Sequence, residues 1–283
     1  MVRSFDGTFI AYQDMGAPSG EPPLLLVNGI GAGLEMWRRA LYSISERRRI
    51  VTWDHRGLHS SGLPATDRLD PGAHAHDGLA VMDALGIDRF IIAAWSTGGR
   101  IALELAHSQP ERVIGMATVC AGYGQRARDV VRLQPLALLP RAAGIAKHFG
   151  RPLQGVLQRF AGRPEIAGLI RQSGMTAATA DTAALVEFVR GMASCDLNLL
   201  LANYQAVAGD AAPELLPDIT CPVLLIAGEH DQFTPRSMTE EMAASLPDAR
   251  LEIYENATHY LPIEYPDRLG QDLDEFFTSL ASV

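Results

Sequence analysis

A lone serine stands where an apolar run meets a helix-forming one. Phe90-Ile91-Ile92-Ala93-Ala94-Trp95 has the composition and length of a buried strand. Ser96 follows, and Thr97-Gly98-Gly99-Arg100 leads into Ile101-Ala102-Leu103-Glu104-Leu105-Ala106-His107 before Pro110. A continuous apolar run followed at once by a helix is the βα half of a parallel crossover unit. Ser96 therefore falls in a sharp turn, its Oγ near a helix N-terminus whose unpaired N–H groups favour negative charge. Gly98 and Gly99 carry no Cβ and let helix and strand approach closely behind it. A serine in this place serves as a helix cap or as a nucleophile. As a nucleophile it needs a base to take its proton, and the base needs a neighbour that fixes its tautomer.

The pentapeptide Ala94-Trp95-Ser96-Thr97-Gly98 resembles the nucleophile elbow of the α/β-hydrolases, Gly-x-Ser-x-Gly, with Ala94 at the first glycine position. The resemblance implies a chain order of Ser, then Asp or Glu, then His. Gly228-Glu229-His230-Asp231-Gln232-Phe233-Thr234-Pro235 follows an apolar strand and resembles the family's acid-bearing loop, with Asp231 in the acid position. Glu255-Asn256-Ala257-Thr258-His259-Tyr260-Leu261-Pro262 follows the last strand and puts His259 in the base position. Plainer roles stand beside these: Asp231 as a loop or cap aspartate, His259 as a loop histidine, and Glu229 as a competing acid. His230 adjoins the acid but does not match the base position.

The same resemblance implies an oxyanion hole made by the Thr97 N–H and, from the glycine-rich loop 28–33, the Ile30 N–H. Many family members have His-Gly at the start of that loop; this chain has Asn28-Gly29. Because the donor is a backbone group, Asn28 need not remove it. The stretch 28–37 is similar to the corresponding loop of intracellular polyhydroxyalkanoate depolymerases, and more loosely to that of 3-oxoadipate enol-lactonases and related esterases.

The elements that must position these residues alternate along the chain. Asp6-Gly7 between residues 2–5 and 8–13 reads as a hairpin turn. Strands are expected at 24–27, 50–54, 90–95, 113–120, 221–227 and 251–254. Helices are expected at 34–44, 74–85, 236–246 and from Pro266 onward. This alternation, with the resemblance, implies a mostly parallel eight-stranded sheet with helices on both faces. From Gly124 to about Gly209 no strand is expected. Helical pieces are punctuated by Pro135, Pro140, Pro152 and Pro164, and Asp181 caps one of them. Residues 1–122 and 210–283 are thus expected to form the core, and 123–209 a helical lid.

Composition narrows the functional classes. The chain has 283 residues, 47% hydrophobic and 20% charged, as in a globular protein, and is long enough for one large α/β domain with an insertion or for two small domains. A net charge of −9 gives nucleic-acid binding no support. No apolar run approaches the ~18–20 residues of a membrane span. The first residues lack a secretory apolar core, and three sparse cysteines (Cys120, Cys195, Cys221) argue against a disulfide framework. A cytoplasmic location is the expectation. One basic stretch stands out: Arg126, Arg128, Arg132, Arg141, Lys147, Arg151, Arg159, Arg163 and Arg171, against Asp129 and Glu165. It reads as a solvated helix surface or as an attractor of anionic partners.

His55, His59, His74 and His76 with Asp54 and Asp77 lack metal-ligand spacing, so no metal is expected. The glycine pairs lack a Walker lysine and the dinucleotide spacing, so no cofactor is expected either. The sum is an expected cofactor-free serine hydrolase acting on an ester or lactone. Apolar lid residues (Leu136, Leu138, Leu139, Leu185, Phe188, Leu199) point to an apolar small-molecule substrate. An acyltransferase or perhydrolase would use the same residues with another acceptor. A non-catalytic binding protein on the same fold is the competitor from another class.

Overall fold

Successive side chains along a strand point to opposite faces, so a run that is apolar at every position needs cover on both sides. The computed structural model, which describes residues 1–16, 20–124, 155 and 158–280, provides it. Leu25, Val27, Ile92 and Ala94 face one core together with Ile101 and Leu105. Leu24, Leu26, Ile91 and Ala93 face a second core together with Trp37, Leu261 and Phe277. The sheet is the layer between.

The strands are β1 (Val2–Arg3), β2 (Phe9–Ile10), β3 (Tyr12–Met15), β4 (Leu24–Val27), β5 (Ile50–Trp53), β6 (Phe90–Trp95), β7 (Val113–Val119), β8 (Val223–Gly228) and β9 (Ala249–Tyr254). The described helices are α1 (Tyr42–Ser45), α2 (Pro71–Ala84), α3 (Gly98–Ser108), α4 (Pro164–Gln172), α5 (Thr182–Ser194), α6 (Leu197–Ala208), α7 (Arg236–Ser245), α8 (Leu261–Glu264) and α9 (Pro266–Ser279). Local chemistry starts several of them. Asp70 accepts the Ala73 N–H ahead of Pro71 at α2, and Asp181 accepts the Ala183 and Ala184 N–H groups at α5.

The main sheet runs β3-β5-β4-β6-β7-β8-β9, all parallel except β3, which is antiparallel to β5 at the edge. It has seven strands where eight were expected. The N-terminal hairpin pairs on itself, Val2 with Ile10 and Arg3 with Phe9, and does not join the sheet. Ala11 breaks the run expected at 8–13: its N–H donates to Ser61 Oγ and its carbonyl accepts from the Asp54 N–H. The helix expected at 34–44 is a 3₁₀ turn at Leu34–Met36 followed by the one-turn α1.

Strand order reverses between β4 and β6. The chain leaves β4 toward β5 on one side and leaves β6 toward β7 on the other, which opens a crevice beyond their carboxyl ends. Val27 of β4 is level with Ala94 of β6, so the 28–33 loop and Ser96 emerge side by side. Of the expected lid, residues 123, 124, 155 and 158–209 are described; Leu136, Leu138, Leu139, Arg126, Arg128, Arg132, Arg141, Lys147 and Arg151 lie outside the described residues.

Candidate active site

Ser96 directly follows β6 with φ of 57°, in the left-handed region that non-glycine residues seldom occupy. Such a conformation costs on the order of 1–3 kcal/mol and persists only where the surroundings enforce it. Here they do: the Ser96 N–H donates to the Val119 carbonyl on β7, and its carbonyl accepts from the Gly99 N–H as α3 begins. Gly98 is the close approach. A Cβ there would lie 2.4 Å from the Val27 carbonyl oxygen and 2.6 Å from that of Asn28. Ala94, at the family's first glycine position, is wholly buried in the sheet.

The structure brings Asp231 and His259 to this serine. His259 Nε2 lies 2.8 Å from Ser96 Oγ, and His259 Nδ1 lies 2.9 Å from Asp231 Oδ2. The acid follows β8 and the histidine follows β9, so adjacent parallel strands deliver them to one end of the sheet. Asp231 is held by its own turn. Its Oδ1 accepts the N–H groups of Phe233 (2.7 Å) and Thr234 (2.9 Å), and its Oδ2 accepts the Thr234 hydroxyl (2.7 Å). Burial pushes this carboxyl up, but pairing with His259 and the bonds from Thr234 outweigh it and hold the group below the usual carboxylate range. Glu229 instead accepts the Asn256 N–H at 3.0 Å, and His230 is exposed beside it.

The histidine loop has its own scaffold, invisible in sequence. Glu264, buried in α8, accepts the Thr258 N–H (2.7 Å), the Thr258 hydroxyl (2.5 Å) and the Ala177 N–H (2.8 Å). The Trp95 indole N–H donates to the His259 carbonyl at 2.9 Å. Phe233 and Trp95 lie against the imidazole at centroid distances of 4.8 and 5.3 Å. Only the turn around Asp231 left a sequence signal, since an aspartate side chain readily accepts the backbone N–H two residues on, here that of Phe233.

A cavity of about 320 Å³ opens over Ser96 and His259. Its walls include Ile30, Trp95 and Phe233 from the sheet side and Phe188, Leu200 and Tyr204 from α5 and α6. Leu185 is buried away from it, and Leu199 packs against the sheet-side core. Arg100 also lines the cavity, but its guanidinium is spent on Glu104 (3.0 Å) and on the Asp210 carboxylate (3.1 Å) and carbonyl (3.0 Å). Both expected oxyanion residues, Ile30 and Thr97, border the cavity. The Ile30 N–H donates to Thr97 Oγ1 at 2.8 Å. Asn28 turns away from the cavity, donating to Thr52 Oγ1 on β5.

Cys120, Asp231 and His259 place possible ligand atoms within 4.8 Å of one another. The hydrogen bonds just described already engage both imidazole nitrogens and both Asp231 oxygens. The other histidines and acids are dispersed into separate bonds. Asp77 pairs with Arg56, Asp54 accepts the Ser60 N–H, and His76 bonds the Gly72 carbonyl. His55 and His74 are buried against each other, ring centroids 5.0 Å apart. Of the described arginines in the basic stretch, Arg171 bonds the Ala180 carbonyl and the Thr182 hydroxyl, and Arg163 stacks on Phe160.

A family model described as alpha/beta hydrolase fold matches residues 22–266. The chain is 27% identical over 270 residues to a protein named "Putative carbamate hydrolase RutD" from Caulobacter sp. (strain K31), across 94% of each chain. It is 25% identical over 261 residues to the 2-hydroxy-6-oxononadienedioate/2-hydroxy-6-oxononatrienedioate hydrolase of Pseudomonas sp, across 90% of this chain and 87% of that one. The enol-lactonase from Burkholderia xenovorans LB400 superposes with a TM-score of 0.75 at 23% identity, covering 96% of this chain and 97% of that chain. This last likeness is one of fold. No described helix is long and apolar enough to cross a membrane.

Proposed function

The chain belongs to the α/β-hydrolase fold family, and from that premise we propose that it is a cofactor-free serine hydrolase cleaving a carboxylic ester or lactone through an acyl-enzyme on Ser96. The observation that carries the reading is the hydrogen-bonded line from Ser96 through His259 to Asp231 at the floor of an apolar cavity. Ser96 Oγ attacks the acyl carbon while its proton passes to His259 Nε2. Asp231 steadies the imidazolium through Nδ1–H, and the Thr97 and Ile30 end of the cavity takes the developing oxyanion. His259 then gives its proton to the leaving alkoxide. In the second half it draws a proton from the water that attacks the acyl carbon. It passes that proton to Ser96 Oγ as the bond between the acyl carbon and the serine oxygen breaks and the carboxylic acid leaves.

The described lining favours an apolar, uncharged substrate. Arg100 is its one cation, and two acidic neighbours already engage it. A doubly anionic substrate such as a dioate would find no free cation among the described lining residues. Residues 123–209 act in this reading as the lid, with Phe188, Leu200 and Tyr204 roofing the acyl group. A carbamate is the second reading, supported by the 27% identity to the RutD protein; its acyl carbon would meet the same serine.

The test is hydrolysis of 4-nitrophenyl butyrate, with a matched carbamate in parallel, by the parent and by Ser96→Ala. By analogy with other serine hydrolases the substitution should cost on the order of 10⁶ in kcat. Equal rates for the two proteins would refute the reading and leave a binding protein on a hydrolase fold.

A further inference from the structure

The Ile30 N–H does not open directly into the cavity, because Thr97 Oγ1 already accepts it at 2.8 Å. We propose that the Thr97 hydroxyl, polarised by this N–H, is itself an oxyanion donor, so that the Ile30 side of the hole acts through a side chain. The inference rests on the serine-hydrolase reading above and deepens it.

A hydroxyl has one proton to donate and two lone pairs that accept. In Thr97 one lone pair takes the Ile30 N–H, and among the described residues no acceptor takes the proton. Thr97 borders the cavity directly after Ser96 and heads α3, where no side-chain cap bond occupies it. One residue thus brings two donors to the place where charge develops, its own amide N–H and its hydroxyl. Accepting a hydrogen bond makes a hydroxyl a stronger donor, an effect that grows in a site of low dielectric.

The partner of this hydroxyl is itself fixed. Gly31, with φ of 82°, lies against Leu200 of α6, and its carbonyl bonds His59 Nε2 at 3.1 Å. The loop therefore presents the Ile30 amide to Thr97 at a set position. In the reacting step a bond forms between Ser96 Oγ and the acyl carbon, the serine proton moves to His259 Nε2, and the carbonyl π pair moves onto oxygen. The Thr97 O–H bond stays intact throughout and only donates to that oxygen.

The experiment compares the parent, Ser96→Ala, Thr97→Val, Thr97→Ala and Thr97→Ser on 4-nitrophenyl butyrate. Inhibition by butylboronic acid, a tetrahedral mimic, and the melting temperature are followed for each. Losing one oxyanion donor generally costs about 10²–10³ in kcat. Here the uncovered Ile30 N–H takes up part of the role, so Thr97→Val and Thr97→Ala should lose roughly 10- to 100-fold in kcat. KM should stay within about twofold, boronate affinity should fall in step with kcat/KM, and melting temperature should hold. Thr97→Ser, which keeps the hydroxyl, should recover most of the rate and the boronate affinity.

Parent-like or faster turnover by both hydroxyl-free variants would overturn the proposal, since the hydroxyl would then only cover the hole. Equal losses in Thr97→Ser and Thr97→Val would overturn it as well, assigning the effect to packing of the methyl group. Equal rates for the parent and Ser96→Ala would instead sink the serine-hydrolase reading, and the donor assignment with it.

Discussion

Replacing Asp231 by Asn tests the proposed role of the acid with almost no change of shape. Two backbone N–H groups, from Phe233 at 2.7 Å and Thr234 at 2.9 Å, converge on Oδ1. Both are donors, so the amide oxygen of an asparagine must take that place. Its NH₂ then falls at the former Oδ2, facing His259 Nδ1 and the Thr234 hydroxyl. A donor against Nδ1 selects the imidazole tautomer with its proton on Nε2. Ser96 Oγ, 2.8 Å from Nε2, then meets a donor where it needs a base.

The same logic in other triads gives a loss of about 10⁴ in kcat, or ~5 kcal/mol of transition-state stabilisation. The fold should be little affected, because the two backbone bonds survive and the Thr234 hydroxyl can turn to accept. Steady-state hydrolysis of 4-nitrophenyl butyrate by the parent, Asp231→Asn and Glu229→Gln, with melting temperatures, is the assay. Glu229→Gln should keep the parent rate to within about twofold, since its carboxylate serves the Asn256 N–H outside the hydrogen-bonded line. An Asp231→Asn protein within tenfold of the parent would refute the tautomer argument.

Gly98→Ala should unfold more readily by roughly 1–3 kcal/mol or more in urea titration, because its Cβ has only backbone oxygens to displace; a parent-like midpoint would count against the close approach behind Ser96. Ser96→Gly should be more stable than Ser96→Ala by about 1 kcal/mol, since glycine adopts a φ of 57° without penalty; equal midpoints would show that the turn stores no such strain. Burial pushes His74 down to about 3 from an ordinary value near 6.5, so it folds neutral and must be charged in the unfolded chain as acid is added. Its contribution is fully present above pH ~6.5 and is lost as pH falls toward 3, amounting to about 2 kcal/mol by pH 5. Urea midpoints at pH 7 and pH 5 should show that drop, and His74→Phe should flatten it.

Much of the site was legible before any coordinates. The apolar runs at 24–27 and 90–95 read as strands covered on both faces, and the Ser96-Thr97-Gly98-Gly99 junction after the second read as a tight strand-to-helix turn. Where local pattern competed with long-range pairing, the reading was less sharp. The stretch 8–13 looked like one strand, yet Ser61 and Asp54, distant in sequence, take the polar groups of Ala11 and split it. The eighth strand of the expected sheet was lost there, to a hairpin that pairs only with itself.

Residue types and their order named Ser96, Asp231 and His259 because the chemistry of each is carried by its own side chain and each follows a strand visible as an apolar run. That Glu264 would brace the histidine loop, that Trp95 would hold the His259 carbonyl, and that the Ile30 N–H would end on Thr97 Oγ1 was decided only in three dimensions. Those are bonds between groups separated by up to 164 positions, or aimed by rotamers and loop paths, and local pattern encodes neither. Strand order brought the residues together; side-chain packing determined which atom faces which.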